Sequence, residues 1–249
     1  MSMLWILCPL ILIAGMVDSI AGGGGLISLT AYYAVGLPPH LALGNNKFSS
    51  LWGTAVACWR YMRSGHINWS YALLSAAGAL TGSALGARLS LLVDERYLQL
   101  LLVVIVPALA VFILWKPDFG RSEHAVGSCM MVFLSIAAGF VTGCYDGFFG
   151  PGAGMFMTLA FSTVLGLDMV TASGNARLVN LSSNFAALIT FVVNGNVNYA
   201  IGIPCALCGI LGNYIGSGMA IKDGVKVIRP VMLVVLFLLL LKIVLDLFF

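Results

Sequence analysis

Two acidic residues stand beside glycine-rich interruptions of otherwise apolar sequence. Asp18 is followed by Ser-Ile-Ala-Gly-Gly-Gly-Gly, ending at Gly25, and Asp146 by Gly-Phe-Phe-Gly-Pro-Gly-Ala-Gly, ending at Gly154. A carboxylate in apolar sequence is costly unless it is paired or hydrated. We therefore treat Asp18 and Asp146 as coupling or gating candidates. Three roles stay open for each: a proton carrier, an ion-pair partner for Lys47 or Arg177, and a cap for a half-helix.

The glycine runs themselves predict irregular backbone. In a bilayer such backbone survives only where it is buried in protein or lines a wet cavity. Without a Cβ, a glycine lets backbone N–H groups approach an anion closely, so these runs are candidate binding segments. The alternative is close helix packing through small residues. The candidates are Gly22, Gly23, Gly24, Gly25, Gly150, Gly152 and Gly154.

Amides and a base recur together at two places. Asn45-Asn46-Lys47 and Asn175-Ala176-Arg177 each open an apolar segment in our interpretation. A fixed positive charge beside amide donors suits an oxyanion, with lysine as a point charge and arginine as a planar fork. The alternative is a snorkelling base with an asparagine helix cap. The substrate-binding candidates here are Asn45, Asn46, Lys47, Asn175 and Arg177, with Asn180 and Asn184 one turn apart on the following helical face.

Composition identifies the class of protein that must position these residues. Hydrophobic residues make up 61% of the 249 residues, charged residues 8%, and the mean hydropathy is +1.04. Such a chain is predicted to be an all-α polytopic membrane protein in contact with the lipid bilayer. The small, scattered net charge of +3 predicts no nucleic-acid partner. We expect neither a cofactor nor a metal site, since Cys205 and Cys208 have no second ligand pair nearby.

Ten apolar segments are predicted, several of them short. They are Met3 to Ala21, Leu26 to Val35, Phe48 to Met62, Trp69 to Leu92, Tyr97 to Trp115, Ala125 to Phe149, Met155 to Leu165, Leu178 to Val193, Val197 to Ile221 and Val227 to Phe249. Residues 117–124 read as a polar linker between a first repeat, 1–116, and a second repeat, 125–249.

The two halves resemble each other. A shift of 130 positions pairs Gly44-Asn45 with Gly174-Asn175, and a shift of 128 pairs the two aspartates. This agreement predicts a duplicated unit of 8 to 10 membrane segments with glycine-broken helices. If the chain doubles back at each break, eight of the 12 lysines and arginines share one side, against seven if it does not. The positive-inside rule therefore favours inverted halves.

These motifs also resemble a known family. Val17-Asp-Ser-Ile-Ala-Gly-Gly-Gly-Gly-Leu-Ile27, Ala42-Leu-Gly-Asn-Asn-Lys47 and Tyr145-Asp-Gly-Phe-Phe-Gly-Pro-Gly-Ala-Gly154 together resemble the TauE/SafE family, also called the toluene sulfonate uptake permease family. The resemblance implies a multi-pass carrier of the bacterial inner membrane for sulfite, sulfonates or related organosulfur anions. This sequence departs from the family pattern at Arg177, where a lysine is expected, and at Ala153, where a hydroxyl residue is frequent.

The combined interpretation is a permease that moves a small anion by alternating access. A proton or another ion is a candidate coupling partner, and both a monomer and a homodimer are compatible with the sequence. No Walker motif supports ATP coupling within this chain. Two alternatives stay open: a membrane-embedded enzyme or sulfur-handling partner subunit, and an anion channel. The enzyme is disfavoured because no catalytic dyad or metal cluster is visible in the sequence.

Overall fold

A computed structural model describes residues 2–92 and 128–248, and within these ranges the chain is helical, with no strand. The helices of the first range are α1 (Ser2–Ala21), α2 (Gly24–Ala34), α3 (Pro39–Arg63) and α4 (Trp69–Leu92). Those of the second range are α5 (Ser128–Phe148), α6 (Ala153–Thr163), α7 (Met169–Val193), α8 (Tyr199–Asp223) and α9 (Val225–Phe248).

Five of the described helices, α1, α4, α5, α7 and α8, are long and apolar enough to cross a membrane. An 18-residue helix spans roughly 27 Å at 1.5 Å per residue, close to the thickness of the hydrocarbon core. Many large apolar side chains on these helices are exposed, as lipid-facing side chains would be, including Phe133, Leu207 and Val193. The predicted all-α membrane class is confirmed.

Both predicted glycine breaks are present. The first separates α1 from α2 at Gly22 and Gly23, and the second separates α5 from α6 over residues 149–152. Gly22, Gly150 and Gly152 have φ values of +80°, +97° and +77°, in the left-handed region that favours glycine. Any other residue would be strained in this conformation, so glycine at these positions allows the chain to change direction.

The helices of the two ranges recur in length and order. They have 20, 11, 25 and 24 residues in α1 to α4, and 21, 11, 25 and 25 residues in α5 to α8. The largest interfaces join one range to the other: α4 packs on α5, and α1 on α8. Likewise α3 packs on α8, and α7 on α4. When α1 to α4 are matched in order with α5 to α8, the contact of α4 with α5 corresponds to that of α8 with α1. In the same way, the contact of α3 with α8 corresponds to that of α7 with α4. The inverted orientation of the halves stays a prediction.

Stripes of glycine let α4 and α5 approach backbone to backbone. A Cβ added at Gly82 would lie 2.2 Å from the Phe140 carbonyl oxygen, and one at Gly86 would lie 2.0 Å from that of Cys144. The facing side of α5 uses small residues in the same way, since a Cβ at Gly143 would lie 2.6 Å from Ala79 Cα. Gly78, Gly82 and Gly86 therefore form a packing stripe along α4.

Two predicted helix boundaries were wrong. We expected segments to begin at Phe48 and Leu178, but α3 begins at Pro39 and α7 at Met169, nine residues earlier in each case. The second turns of these helices carry polar residues that are buried inside the protein, among them Asn45, Asn46 and Asn175. The predicted segment from Tyr97 to Trp115 and the linker at 117–124 lie outside the described residues, and the division into two repeats stays a prediction.

One stability prediction follows from the way the two ranges interlock. A Cβ on Gly174 would lie 1.9 Å from the backbone oxygen of His66, in the loop between α3 and α4. We expect Gly174→Ala to lower the thermal denaturation midpoint of the detergent-purified protein, because overpacking costs about 1–3 kcal/mol.

Gly209→Ala is the matched control, since it also replaces a helical glycine but the nearest atom, the Ser49 oxygen, would be 3.5 Å away. Alanine favours helix over glycine by about 1 kcal/mol, so this variant should denature at or above the wild-type temperature. Equal midpoints for the two variants would contradict the packing described here.

Candidate functional site

Two ion pairs lie at the centre of the molecule, and each joins the two halves of the chain. Lys47 on α3 meets Asp146 on α5, with 2.8 Å between Nζ and Oδ1. Arg177 on α7 meets Asp18 on α1, with 3.2 Å between Nη1 and Oδ2. The side chains of Lys47, Asp146 and Arg177 are 1%, 4% and 0% exposed, whereas that of Asp18 is 16% exposed. Of the three roles left open for the aspartates, the structure shows ion pairing.

An amide network surrounds the Lys47–Asp146 pair. Lys47 Nζ donates to Asn184 Oδ1 at 3.2 Å, and Asn184 Nδ2 donates to Asn180 Oδ1 at 3.0 Å. Asn180 Nδ2 lies 3.5 Å from Asp146 Oδ2, which also accepts a 2.5 Å hydrogen bond from the Ser183 hydroxyl. Each charge in this pair is therefore solvated by polar side chains, as a buried pair requires.

The Arg177–Asp18 pair is less complete. Among the described residues, Arg177 Nε and Nη2 have no hydrogen-bond partner, although the side chain is fully buried. A guanidinium has five N–H donors in a rigid fork, and leaving a buried donor unpaired costs about 1–3 kcal/mol. The Nε and Nη2 groups can therefore donate hydrogen bonds to a further acceptor, such as the oxygens of an anion.

The two glycine breaks touch each other beside this arginine. Met155 N–H donates to the Gly22 oxygen at 3.2 Å, and a Cβ on Gly22 would lie 2.1 Å from the carbonyl carbon of Gly154. A Cβ on Gly154 would lie 2.7 Å from Arg177 Nη2. The close-packing interpretation therefore holds for Gly22 and Gly154.

The remaining candidate glycines have different surroundings. A Cβ on Gly150 would lie 3.3 Å from Lys47 Nζ, so this break borders the other ion pair. Gly23 packs on Val235 of α9, and Gly24 packs against the Asp18 side chain. Gly24 and Gly25 belong to the first turn of α2, while Gly152 immediately precedes α6. The breaks thus position the charged residues by allowing close backbone contacts.

The two amide-and-base motifs do not open helices. Asn45, Asn46 and Lys47 lie two turns inside α3, and Arg177 lies equally deep in α7, so the interpretation of snorkelling bases with asparagine caps was wrong. The residues that precede the two helices are Pro38 and Asp168. Both bases are buried because each meets a carboxylate from the other half.

The asparagines of these motifs bond to protein groups. Asn175 Oδ1 accepts from the backbone N–H of Asn68, just before α4, at 2.8 Å. Asn45 Nδ2 donates to the Leu41 oxygen at 2.8 Å, and Asn46 Oδ1 accepts from the Ser28 hydroxyl at 2.5 Å. They therefore support the local structure around the charges.

Sequence reasoning missed three polar residues near the site: Ser28, Ser183 and Asn213. Ser183 was detectable, because it lies on α7 between Asn180 and Asn184 on a polar face. Asn213 is a solitary amide in an apolar stretch of α8 and is 2% exposed. A buried amide costs free energy unless its donors and acceptor are paired, so its surroundings need an explanation.

Comparison with known proteins shows the family of the chain. A family model described as "Sulfite exporter TauE/SafE" matches residues 7–243. The chain belongs to the TauE/SafE family. The resemblance found in the motifs is thus confirmed over nearly the whole chain, and with it the membrane permease class.

Proteins named as probable membrane transporters in several bacteria are similar to this chain. It is 35% identical to "Probable membrane transporter protein ORF9" of a Sinorhizobium species, over 94% of this chain and 89% of the relative. It is 36% identical to "Probable membrane transporter protein YfcA" of Escherichia coli K12, over 90% and 83%. A "Probable membrane transporter protein" of Haemophilus influenzae is 32% identical over 94% and 91%. No solved structure matches the chain. The protein is a multi-pass membrane transporter.

Proposed function

We propose that the protein carries a small anion, either sulfite, a sulfonate or a related organosulfur anion, across the bacterial inner membrane. The observation that carries this proposal is Arg177, a buried guanidinium whose Nε and Nη2 have no partner among the described residues. Arginine recognises planar or trigonal oxyanions through paired N–H donors. Sulfite and sulfonate groups each present three oxygens that can accept such bonds. The printed name of the family model supports the sulfur chemistry.

The position of the site supports transport by alternating access. The four charged residues come from α1, α3, α5 and α7, so each ion pair crosses between the proposed repeats. In transporters built from inverted repeats, substrate sites lie where broken helices meet. The two glycine breaks meet beside Arg177. Motion of one repeat against the other would therefore change access to this arginine while the anion stays bound.

The other candidate residues have supporting roles in this proposal. The polar wall next to Asp146 consists of Lys47, Asn180 and Asn184. Asn184 accepts a hydrogen bond from the lysine ammonium and so holds it in place. Gly150 borders this wall, and Gly154 lies against the guanidinium. The first-turn N–H groups of α2 and α6 add the positive end of each helix dipole near the site.

A channel and an enzyme make different predictions from a carrier. Uptake through a channel is not accelerated by unlabelled substrate on the opposite side of the membrane, as uptake by a carrier is. An enzyme changes its ligand chemically. The tightly packed contact between Gly22 and Gly154 favours a carrier over a continuous pore at this point. The relatives named as probable membrane transporters favour transport over catalysis.

The test is flux of labelled sulfite and of a small alkyl sulfonate into proteoliposomes, under anaerobic conditions that protect sulfite. We expect saturable uptake that accelerates when unlabelled substrate is placed on the opposite side, and we expect the labelled anion to be recovered unchanged. Arg177→Gln should abolish uptake, because the amide has neither the charge nor the fork.

Arg63→Gln is the matched control, since Arg63 is exposed at the end of α3. It should transport as the wild type does. Absence of flux for both anions in folded protein would refute the sulfur assignment. Uptake without acceleration by opposing substrate would indicate a channel, and chemical conversion of the anion would indicate an enzyme.

A further inference from the structure

The charges of the two ion pairs favour a second, cationic ligand when an anion binds. Lys47, Arg177, Asp18 and Asp146 comprise two bases and two acids, so the ionised site has no net charge. An added anion would leave an uncompensated negative charge in a buried place, which is strongly unfavourable. A cation that enters with the anion removes this penalty.

A small cavity beside Asp18 is suited to such a cation. It lies between α1, α2, α3 and α8 and has a volume of about 20 Å³, enough for a single water-sized occupant. Its polar lining consists of Asp18, Ser28, Ser49, Ser50 and Asn213. Asp18 is also the most exposed of the four charged residues, at 16%. The cavity therefore adjoins the Arg177–Asp18 pair on its carboxylate side.

Three serine hydroxyl groups line the cavity, and each donates its proton to a protein oxygen outside the cavity lining. The Ser28 and Ser50 hydroxyls donate to Asn46 Oδ1, and the Ser49 hydroxyl donates to the Asn46 backbone oxygen. Ser49 Oγ also accepts from the Tyr32 hydroxyl at 3.1 Å, whereas no described group donates to Ser28 Oγ or Ser50 Oγ, so their lone pairs can meet a ligand. Hard cations take ligands of this kind, namely carboxylate, amide and hydroxyl oxygens.

Asn213 gives independent support for a ligand site in this cavity. Its Nδ2 donates to the Gly209 oxygen at 3.0 Å. Within the described part of the chain its Oδ1 has no hydrogen-bond partner, although the residue is only 2% exposed and lines the cavity. An unpaired buried amide oxygen costs free energy that a bound cation would recover.

The corresponding place beside Asp146 is filled by protein. A shift of 130 matches Asn213 with Ser83, whose hydroxyl donates to the Ser183 backbone oxygen at 2.7 Å. The Ser183 hydroxyl in turn donates to Asp146. Asp146 thus has side-chain donors where Asp18 faces a cavity. The difference assigns the ligand to the Asp18 side of the site alone.

We propose that the cavity between Asp18 and Asn213 binds one sodium ion, and that this ion enters with the anion. Sodium is a hard, singly charged cation, so one ion balances one unit of anion charge and fits a cavity of this size. The coupling part of the proposal rests on the proposed anion transport, whereas sodium binding does not.

The test is equilibrium binding of radioactive sodium to the purified full chain in detergent, without any anion substrate. We expect saturable binding of one ion per chain that unlabelled Na⁺ displaces and choline does not. Asn213→Leu keeps the side-chain volume but removes the oxygen, and should weaken binding at least tenfold. Asn213→Ser, which introduces the residue found at position 83, provides a second variant if leucine prevents folding, and should also weaken binding.

Asn194→Leu is the matched control, since this asparagine is exposed at the end of α7 and should bind sodium normally. No saturable sodium binding by folded wild-type protein would overturn the proposal, as would unchanged binding by both Asn213 variants. In proteoliposomes an inward sodium gradient should drive anion uptake. Uptake driven by a proton gradient alone would overturn the coupling. Sodium binding without anion flux would instead refute the proposed function and leave the cation site in place.

Discussion

Replacing Lys47 with methionine is expected to remove most of the folded protein from the membrane. The Lys47 ammonium is 1% exposed and lies 2.8 Å from Asp146 Oδ1, so its loss leaves a buried carboxylate without its counter-ion. Breaking a buried pair on one side costs about 3–5 kcal/mol, a large part of the stability of a typical domain. The measurement is the yield of monodisperse protein by size-exclusion chromatography from equal amounts of membrane.

The double variant Lys47→Met/Asp146→Asn tests the cause. It removes both charges, and asparagine still accepts a hydrogen bond from Ser183. We expect it to recover most of the folded yield because no uncompensated charge remains. Anion uptake should stay low, since Lys47 and its contact with Asn184 form one wall of the proposed site. A double variant that folds as poorly as Lys47→Met would show that the lysine acts through packing instead.

Replacing Arg177 with lysine is expected to preserve the fold and to reduce anion uptake at least 100-fold. Lysine retains the positive charge opposite Asp18 but lacks the planar fork. Two charge-assisted hydrogen bonds to the anion are lost, each worth about 1.5–3 kcal/mol. Since 1.4 kcal/mol is a factor of ten, the two losses together correspond to two or more orders of magnitude. Initial uptake rates measured over a range of anion concentrations check this prediction.

Lys47→Arg is the reciprocal comparison for that variant. It keeps the charge opposite Asp146 and adds donors where Asn184 already accepts one hydrogen bond. We expect a smaller reduction than for Arg177→Lys, because the proposed anion contacts lie on the Arg177 side. Equal losses in the two variants would mean that both bases contact the anion equally. Uptake that survives Arg177→Lys would place the arginine in a purely structural role.

Much of the architecture was predictable from particular residues. The glycine runs after Asp18 and Asp146 predicted helix breaks, and the structure has them at Gly22 and at Gly150 to Gly152. Strong hydropathy marked the ends of α1 and α4 closely, since lipid-facing helices carry long apolar runs. The starts of α3 and α7 were missed because the second turns of these helices carry polar residues that are buried inside the protein.

The pairing within the site was only partly predictable. The sequence offered Lys47 and Arg177 as partners for either aspartate, but local spacing does not say which helices cross. The crossed pairing of Lys47 with Asp146 and Arg177 with Asp18 depends on how the halves interlock at Gly22 and Gly154. The cavity beside Asn213 was missed for the same reason, since its lining comes from four helices.

The most direct test of the account is equilibrium binding of labelled sulfite to purified protein, comparing the wild type with Arg177→Lys at matched folded concentration and with sodium present. The account predicts one saturable site per chain in the wild type, and an affinity at least 100-fold lower in the variant, because Arg177 Nε and Nη2 supply the lost hydrogen bonds. Equal affinities would contradict the claim that this buried arginine binds the transported anion.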